Sequence, residues 1–232
     1  MIRPGSLTLV AATLFTALTA DADLRLPALF TDHMVVQRSQ PVMVWGWATP
    51  EQTITVTLAG MTGQAYVGTD STWRLGLAPL SAGGPHQLVI EGDGEPVVID
   101  DVLVGEVWIG SGQSNMQWSV SASDDAEAEI DAAHHPGIRL FYVPRTTAAS
   151  PQSDVEAEWQ VCSPQTVGRF SGVSYYFGRR LHEELGVPVG LIHSSWGGTP
   201  HRTMDGPGVP AAAAAEFVWT DSSVSADRTR RG

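Results

Sequence analysis

The sequence predicts an α/β protein: an N-terminal β-sandwich, then a parallel sheet flanked by helices. Three observations carry that prediction. Residues 24–104 alternate apolar and polar side chains with a period of two, and turn residues punctuate the runs. From residue 105 onward, short apolar strands alternate with helical segments, which implies a parallel sheet. Between the two regimes lies Gly105-Glu-Val-Trp-Ile-Gly-Ser-Gly-Gln-Ser-Asn-Met-Gln-Trp118, an apolar strand running into a glycine turn that carries Ser114.

The first segment to account for is the N-terminus. Arg3 precedes an apolar run from Leu7 to Leu18, and Ala20-Asp-Ala22 follows as a small-residue cleavage site. Residues 1–22 therefore read as a secretory signal peptide, too short for a membrane span, and predict a secreted or periplasmic protein. Residues 23–104 form the predicted sandwich. Val42, Val44 and Gly46 alternate with Met43, Trp45 and Trp47, while Ile54, Val56 and Leu58 alternate with threonines. The period continues through Trp73, Leu75 and Leu77. The tandem tryptophans are expected to fill the core or rim of the sandwich rather than to make a sugar platform.

Residues 105–200 form the predicted α/β part. Val107, Trp108 and Ile109 have the apolar character of a buried parallel strand. Residues 122–133 are helical by composition, and Ile138–Val143 is a second strand. A proline- and acid-rich loop leads to a helix from Ser171 to Leu185. Val173, Phe177, Leu181 and Leu185 make its apolar stripe, Ser171 its N-cap and Gly186 its stop. Val189–His193 is a third strand, which ends at Ser194-Ser-Trp-Gly-Gly-Thr-Pro200. Ser114 and Gly197-Gly-Thr199 thus fall on the carboxyl edge of the sheet, where α/β proteins hold their ligands.

Composition narrows the function. The chain has 232 residues, 43% of them hydrophobic, enough for one or two cores. Its net charge is −12 with every basic side chain an arginine, and it has no basic cluster before its last residues, which argues against nucleic-acid binding. Cys162 stands alone and cannot form an internal disulfide; it reads as a small buried side chain. No ligand cluster suggests a metal or cofactor, and none is expected.

A serine on a strand-to-helix turn is exposed, and backbone N–H groups converge near it, which suits acyl transfer. Most glycine-flanked serines are simply turn residues, so the chemistry alone leaves both readings open. Asn115 fills the third glycine slot of a dinucleotide fingerprint, and Met116 replaces the last glycine of the Gly-x-Ser-x-Gly elbow.

The run 105–118 resembles the signature of the sialate O-acetylesterase family, among the SGNH-type esterases. Leu26–Arg38, Val44-Trp-Gly-Trp-Ala48, residues 138–145, Phe170–Gly178 and Val187–Pro200 extend the likeness. The resemblance implies an SGNH-like, flavodoxin-like three-layer α/β/α domain preceded by an accessory β-domain, and hydrolysis of acetyl esters on carbohydrate. Ser114 matches the family nucleophile. Gln113, Asn115, Gly172, Gly198 and Thr199 match segments that line the site or hold the oxyanion. Gly172 departs from the pattern, which has alanine there.

The pattern breaks after Pro200. The family's base is an Asp-x-x-His pair far downstream, and the one later histidine here is His201. Asp131 and His134 have the spacing but sit at a helix end, where residues three apart pair by chance. Residues 201–232 are irregular, with five consecutive alanines and an arginine-rich end. A Met codon followed by the Asp205 codon reads ATG-GA, which holds a tryptophan codon one base on, where the family has tryptophan. The expectation is a truncated or frameshifted esterase whose α/β domain is incomplete and whose activity is low; the alternative is a non-catalytic carbohydrate-binding protein. Nucleotide sequence across codons 199–206 tests the shift: no long open continuation in the second frame refutes it.

Overall fold

The computed structural model describes residues 24–198. The predicted signal peptide, Thr199 and the segment 201–232 lie outside the described residues. The chain opens with seven strands: β1 (Val35–Gln37), β2 (Val42–Trp47), β3 (Thr53–Leu58), β4 (Met61–Tyr66), β5 (Thr72–Leu77), β6 (Gly83–Glu91) and β7 (Val97–Gly112). The period-two pattern anticipates β2, β3 and β5. Val42, Val44 and Gly46 face inward on β2, as do Ile54, Val56 and Leu58 on β3. Ala59 and Gly60, both at positive φ, close the two-residue hairpin from β3 to β4, the turn type whose twist matches its strands.

β2 and β5 pair as a two-stranded sheet and share a core with β3, β6 and β7 through Val44, Trp73, Leu77, Val56, Leu88 and Ile99. The described strands do not delimit a self-contained sandwich, because the larger sheet runs on into the α/β half. After β7 come α1 (Ser114–Gln117), a 3-10 turn at Val120–Ala122, α2 (Ala126–Asp131) and β8 (His135–Tyr142). β9 (Trp159–Cys162), α3 (Pro164–Val167), α4 (Gly172–Leu185) and β10 (Val189–Ser195) follow. The result is a mixed α/β fold around an eight-stranded sheet of order β4-β3-β6-β7-β10-β8-β9, with β1 on β7. β7, β10 and β8 are mutually parallel, as the alternation of strands and helices required. β9, inside the proline- and acid-rich loop, was not legible in the sequence and adds antiparallel to β8.

β7 is 16 residues long and spans residue 104, where the sequence changes regime. Its first half pairs antiparallel with β6, and residues 106–112 pair parallel with β10. Within the β6-paired stretch Asp101 adopts a left-handed conformation (φ 56°), which aspartate tolerates better than most residues. Its carboxylate receives Arg139 of β8 at 2.6 and 3.2 Å and His33 Nδ1 at 2.7 Å. Arg139 is 4% exposed, and the Pro136 and His33 carbonyls accept two further bonds, so each nitrogen of this buried cation has a partner. The Arg139 guanidinium beside Asp101 holds that carboxyl below the usual carboxylate range.

α4 begins and ends as expected: Ser171 accepts from the Ser174 N–H at 3.2 Å, and Gly186 turns left-handed at φ 63°. Its packing face is a correction. Val173, Phe177 and Leu185 of the expected stripe are 50%, 44% and 45% exposed, and Gly172, Ser174, Tyr175 and Gly178 are the residues buried. Spacing identifies a stripe but not which stripe faces the sheet. Small residues bring the helix backbone close, and a Cβ at Gly178 would lie 2.5 Å from Leu191 Cδ1. Trp108, expected inside a buried strand, is likewise exposed and stacks edge-on against Phe177 at 5.1 Å.

This packing predicts opposite outcomes for two substitutions on one helix. Gly178→Ala should destabilise by about 1–3 kcal/mol through overpacking, and Val173→Ser by less than about 0.5 kcal/mol as an exposed change. Urea midpoints for the two variants check it; equal losses would contradict the orientation of α4.

Candidate active site

The turn after β7 is built by its glycines. Gly110 lies where any side chain would strike Ser174 Oγ, 2.2 Å from an added Cβ, so β7 can pack directly on α4. Gly112 has φ 141°, which reverses the chain into α1. Ser114 opens α1, exposed along with Asn115, and Gln113 precedes them half-buried. Gln117 N–H returns to the Gln113 carbonyl at 2.9 Å and Trp118 N–H to the Ser114 carbonyl at 3.1 Å. As the first amides of a helical turn, those of Ser114 and Asn115 have no acceptor within it.

The second wall comes from β10. Its register sets Ser195 beside Gly112, and Trp196 N–H bonds the Gly112 carbonyl at 3.1 Å. Gly197 then lies directly against the serine turn: a Cβ there would sit 3.6 Å from Ser114 Cα. The Gly197 N–H donates to Gln117 Oε1, tying the two loops together. Gln117 was not singled out from the sequence, although it stands within the run 105–118; its partner is 80 residues away. Gly198, exposed at φ 78°, continues this wall.

The third segment is less direct. Ser171 bridges Ser119, and the Gly172 N–H donates to the Trp118 carbonyl at 2.8 Å. That amide is already engaged and would have to surrender its bond to serve a substrate. Ser114, Gln113, Asn115, Gly197 and Gly198 are therefore gathered at one edge, Gly172 backs the loop, and Thr199 lies outside the described residues.

No histidine bonds Ser114 among the described residues. His193, one strand over, is 1% exposed, with Nε2 2.5 Å from Ser195 Oγ and its ring edge-on to Tyr142 and Phe170. Burial pushes its pKa down to about 4, so it is neutral at pH 7. It holds the end of β10, as the sequence suggested. Asp131 and His134 are both exposed, and no hydrogen bond joins them. Burial pushes the Cys162 thiol up to about 12, which makes it unreactive.

Fold and site together define a class: mixed α/β proteins that present a serine on a glycine turn at the carboxyl edge of parallel strands. No protein-family model matches the chain. The chain is 32% identical to sialate O-acetylesterase of Rattus norvegicus over 236 residues, covering 90% of this chain and 43% of that one. It is 31% identical to the Homo sapiens enzyme of the same name over 240 residues, covering 90% and 46%. A solved carbohydrate acetylesterase of Xanthomonas citri superposes with TM-score 0.75 at 36% identity, over 78% of this chain and 42% of that structure. The chain belongs to the sialate O-acetylesterase family, and it spans less than half the length of these relatives.

The buried His193 predicts a pH dependence of stability. Its folded pKa lies below the unfolded value of 6.5, so the unfolded chain binds the proton more readily. The contribution is complete above pH 6.5 and is lost as pH falls towards 4, amounting to about 3 kcal/mol at most. Urea unfolding at pH 7, 5.5 and 4 should show a shallower decline for His193→Asn than for the parent; parallel declines would refute the assignment.

Proposed function

We propose that the chain contributes to hydrolysis of O-acetyl esters on carbohydrate, with Ser114 as the nucleophile. The observation that carries this reading is the exposed Ser114 at the start of α1, with the Gly197 loop packed against it. The names of the relatives supply the substrate class. In the same reading, the α/β half is the SGNH-type three-layer domain, and residues 24–104 are its accessory β part.

The chemistry follows from the site. Ser114 Oγ attacks the acetyl carbonyl and gives up its proton, and the carbonyl oxygen becomes an oxyanion. The amides at the start of α1 and at Gly198 serve the developing charge, and the side chains of Gln113 and Asn115 flank it. Collapse expels the sugar hydroxyl, protonated, and leaves acetyl-serine. Water then releases acetate and restores the serine. The residues described supply a nucleophile and donors, and no histidine among them is bonded to the serine; in this reading the chain lacks the family's Asp-x-x-His base. Turnover by this chain is expected to be several orders of magnitude below that of a complete triad, because triad members act as a unit.

Export belongs to the same proposal and rests on Arg3 and the Leu7–Leu18 run. A fluorophosphonate probe should add to Ser114 slowly, and Ser114→Ala should abolish both the adduct and any hydrolysis of 4-nitrophenyl acetate. Intact mass of the protein from an exporting host should show a mature start at Asp21 or Asp23. Undiminished hydrolysis in Ser114→Ala would overturn the nucleophile.

A further inference from the structure

Away from Ser114, the β2–β5 sheet carries a cleft that the esterase chemistry does not use. Its volume is about 390 Å³, within the range of small-ligand sites. Antiparallel register builds it: Trp45 is paired with Arg74 and Trp47 with Thr72, so these four side chains share one face. Trp45 and Trp47 are half-buried on that face, whereas Gly46 between them points into the core. Tyr66, 64% exposed, stands at the end of β4 as a third aromatic wall, and Asp70 closes the rim.

The polar groups are also arranged for a ligand. Arg74 is exposed and has no ion pair among the described residues, in a chain whose net charge is −12. Asp70, the one acid in the lining, accepts from the Thr72 N–H and hydroxyl at 3.1 and 2.9 Å and makes no ion pair with Arg74. Trp47 is steadied from outside by Arg25, whose guanidinium stacks 4.3 Å from the indole centroid. Trp45 is steadied by Phe30, edge-on at 4.9 Å. The aromatic walls are therefore held in place before any ligand arrives, which lowers the ordering cost of binding.

We infer that this cleft is a binding subsite for an acidic glycan, separate from the serine site. The apolar C–H face of a pyranose packs on Trp45 and Tyr66, where burying aromatic surface offsets its desolvation. A sugar carboxylate meets Arg74, whose planar fork suits a two-point contact. Remaining hydroxyls reach the free lone pairs of Asp70. Three aromatic walls without the arginine would hold neutral and acidic sugars equally. The unpaired cation is what selects the charged one. Because the cleft is open and small, the affinity is modest, with Kd on the order of 1 mM.

Sialyllactose and lactose, the acidic and neutral forms of one glycan without acetyl esters, provide the test on the full chain. Saturation-transfer NMR and tryptophan fluorescence should show sialyllactose binding at least about 5-fold more tightly than lactose, a preference erased by 1 M NaCl. Arg74→Gln should remove the preference, and Tyr66→Ala should weaken both sugars by about 5-fold or more; both residues are exposed, so circular dichroism should stay unchanged. Ser114→Ala should bind as the parent does. Equal affinity for the two sugars, no saturable signal at tens of millimolar, binding indifferent to both cleft variants, or loss of binding in Ser114→Ala would each overturn the inference.

Discussion

The structure depends on one continuous strand. β7 runs 16 residues and pairs with β6, β1 and β10 in succession, so the β-rich half and the α/β half share a backbone ladder. A strand cannot change direction freely inside such a ladder without losing hydrogen bonds on both sides. Within it Asp101 is left-handed, and its carboxylate accepts from Arg139 of β8. That ion pair, buried on its arginine side, joins strands that are not neighbours in the sheet.

The serine turn is then pinned from the side rather than from beneath. Parallel pairing brings the end of β10 level with Gly112, and the Gly197–Gln117 hydrogen bond seats the second loop on α1. Tight contact across this seam needs glycine at 110 and 197, where a Cβ would meet Ser174 and Gln117. His193 stiffens the same seam as a buried neutral group bonded to Ser195. Its burial makes it a poor proton acceptor, and its Nε2 is engaged by Ser195. The serine turn and the glycine loop beside it are therefore formed among the described residues without a histidine bonded to Ser114.

Much of this was legible in the residues. Period two placed β2, β3 and β5, because each has one buried face and one solvated face. Ser171 and Gly186 marked both ends of α4, because cap chemistry is local. The serine turn and the family were legible for the same reason: each is written in contiguous residues. The orientation of α4 was not, since Val173, Phe177 and Leu185 look like a core stripe until Gly172, Ser174 and Gly178 are seen against the sheet. Trp108 misled in the same way. β9 lay hidden in a loop of prolines and acids because its stability comes from its partner strand, not from its own composition. The engaged amide of Gly172 was hidden too, because its acceptor, the Trp118 carbonyl, is 54 residues back in the chain.

By itself the sequence determined the α/β class, the strand and helix segments set by short-range periodicity, and the serine turn that links the chain to its family. Those features depend on interactions within a few residues, so local order suffices to encode them. Tertiary structure alone decided that β7 unites the two halves, that Gln117 clasps Gly197, which face of α4 is buried, and that Trp45, Tyr66 and Arg74 line one cleft. Each of these is a meeting of groups distant in the chain. Register, helix rotation and close backbone approach are settled only when the whole core packs, because each is selected by the volume and hydrogen bonds its partners leave available.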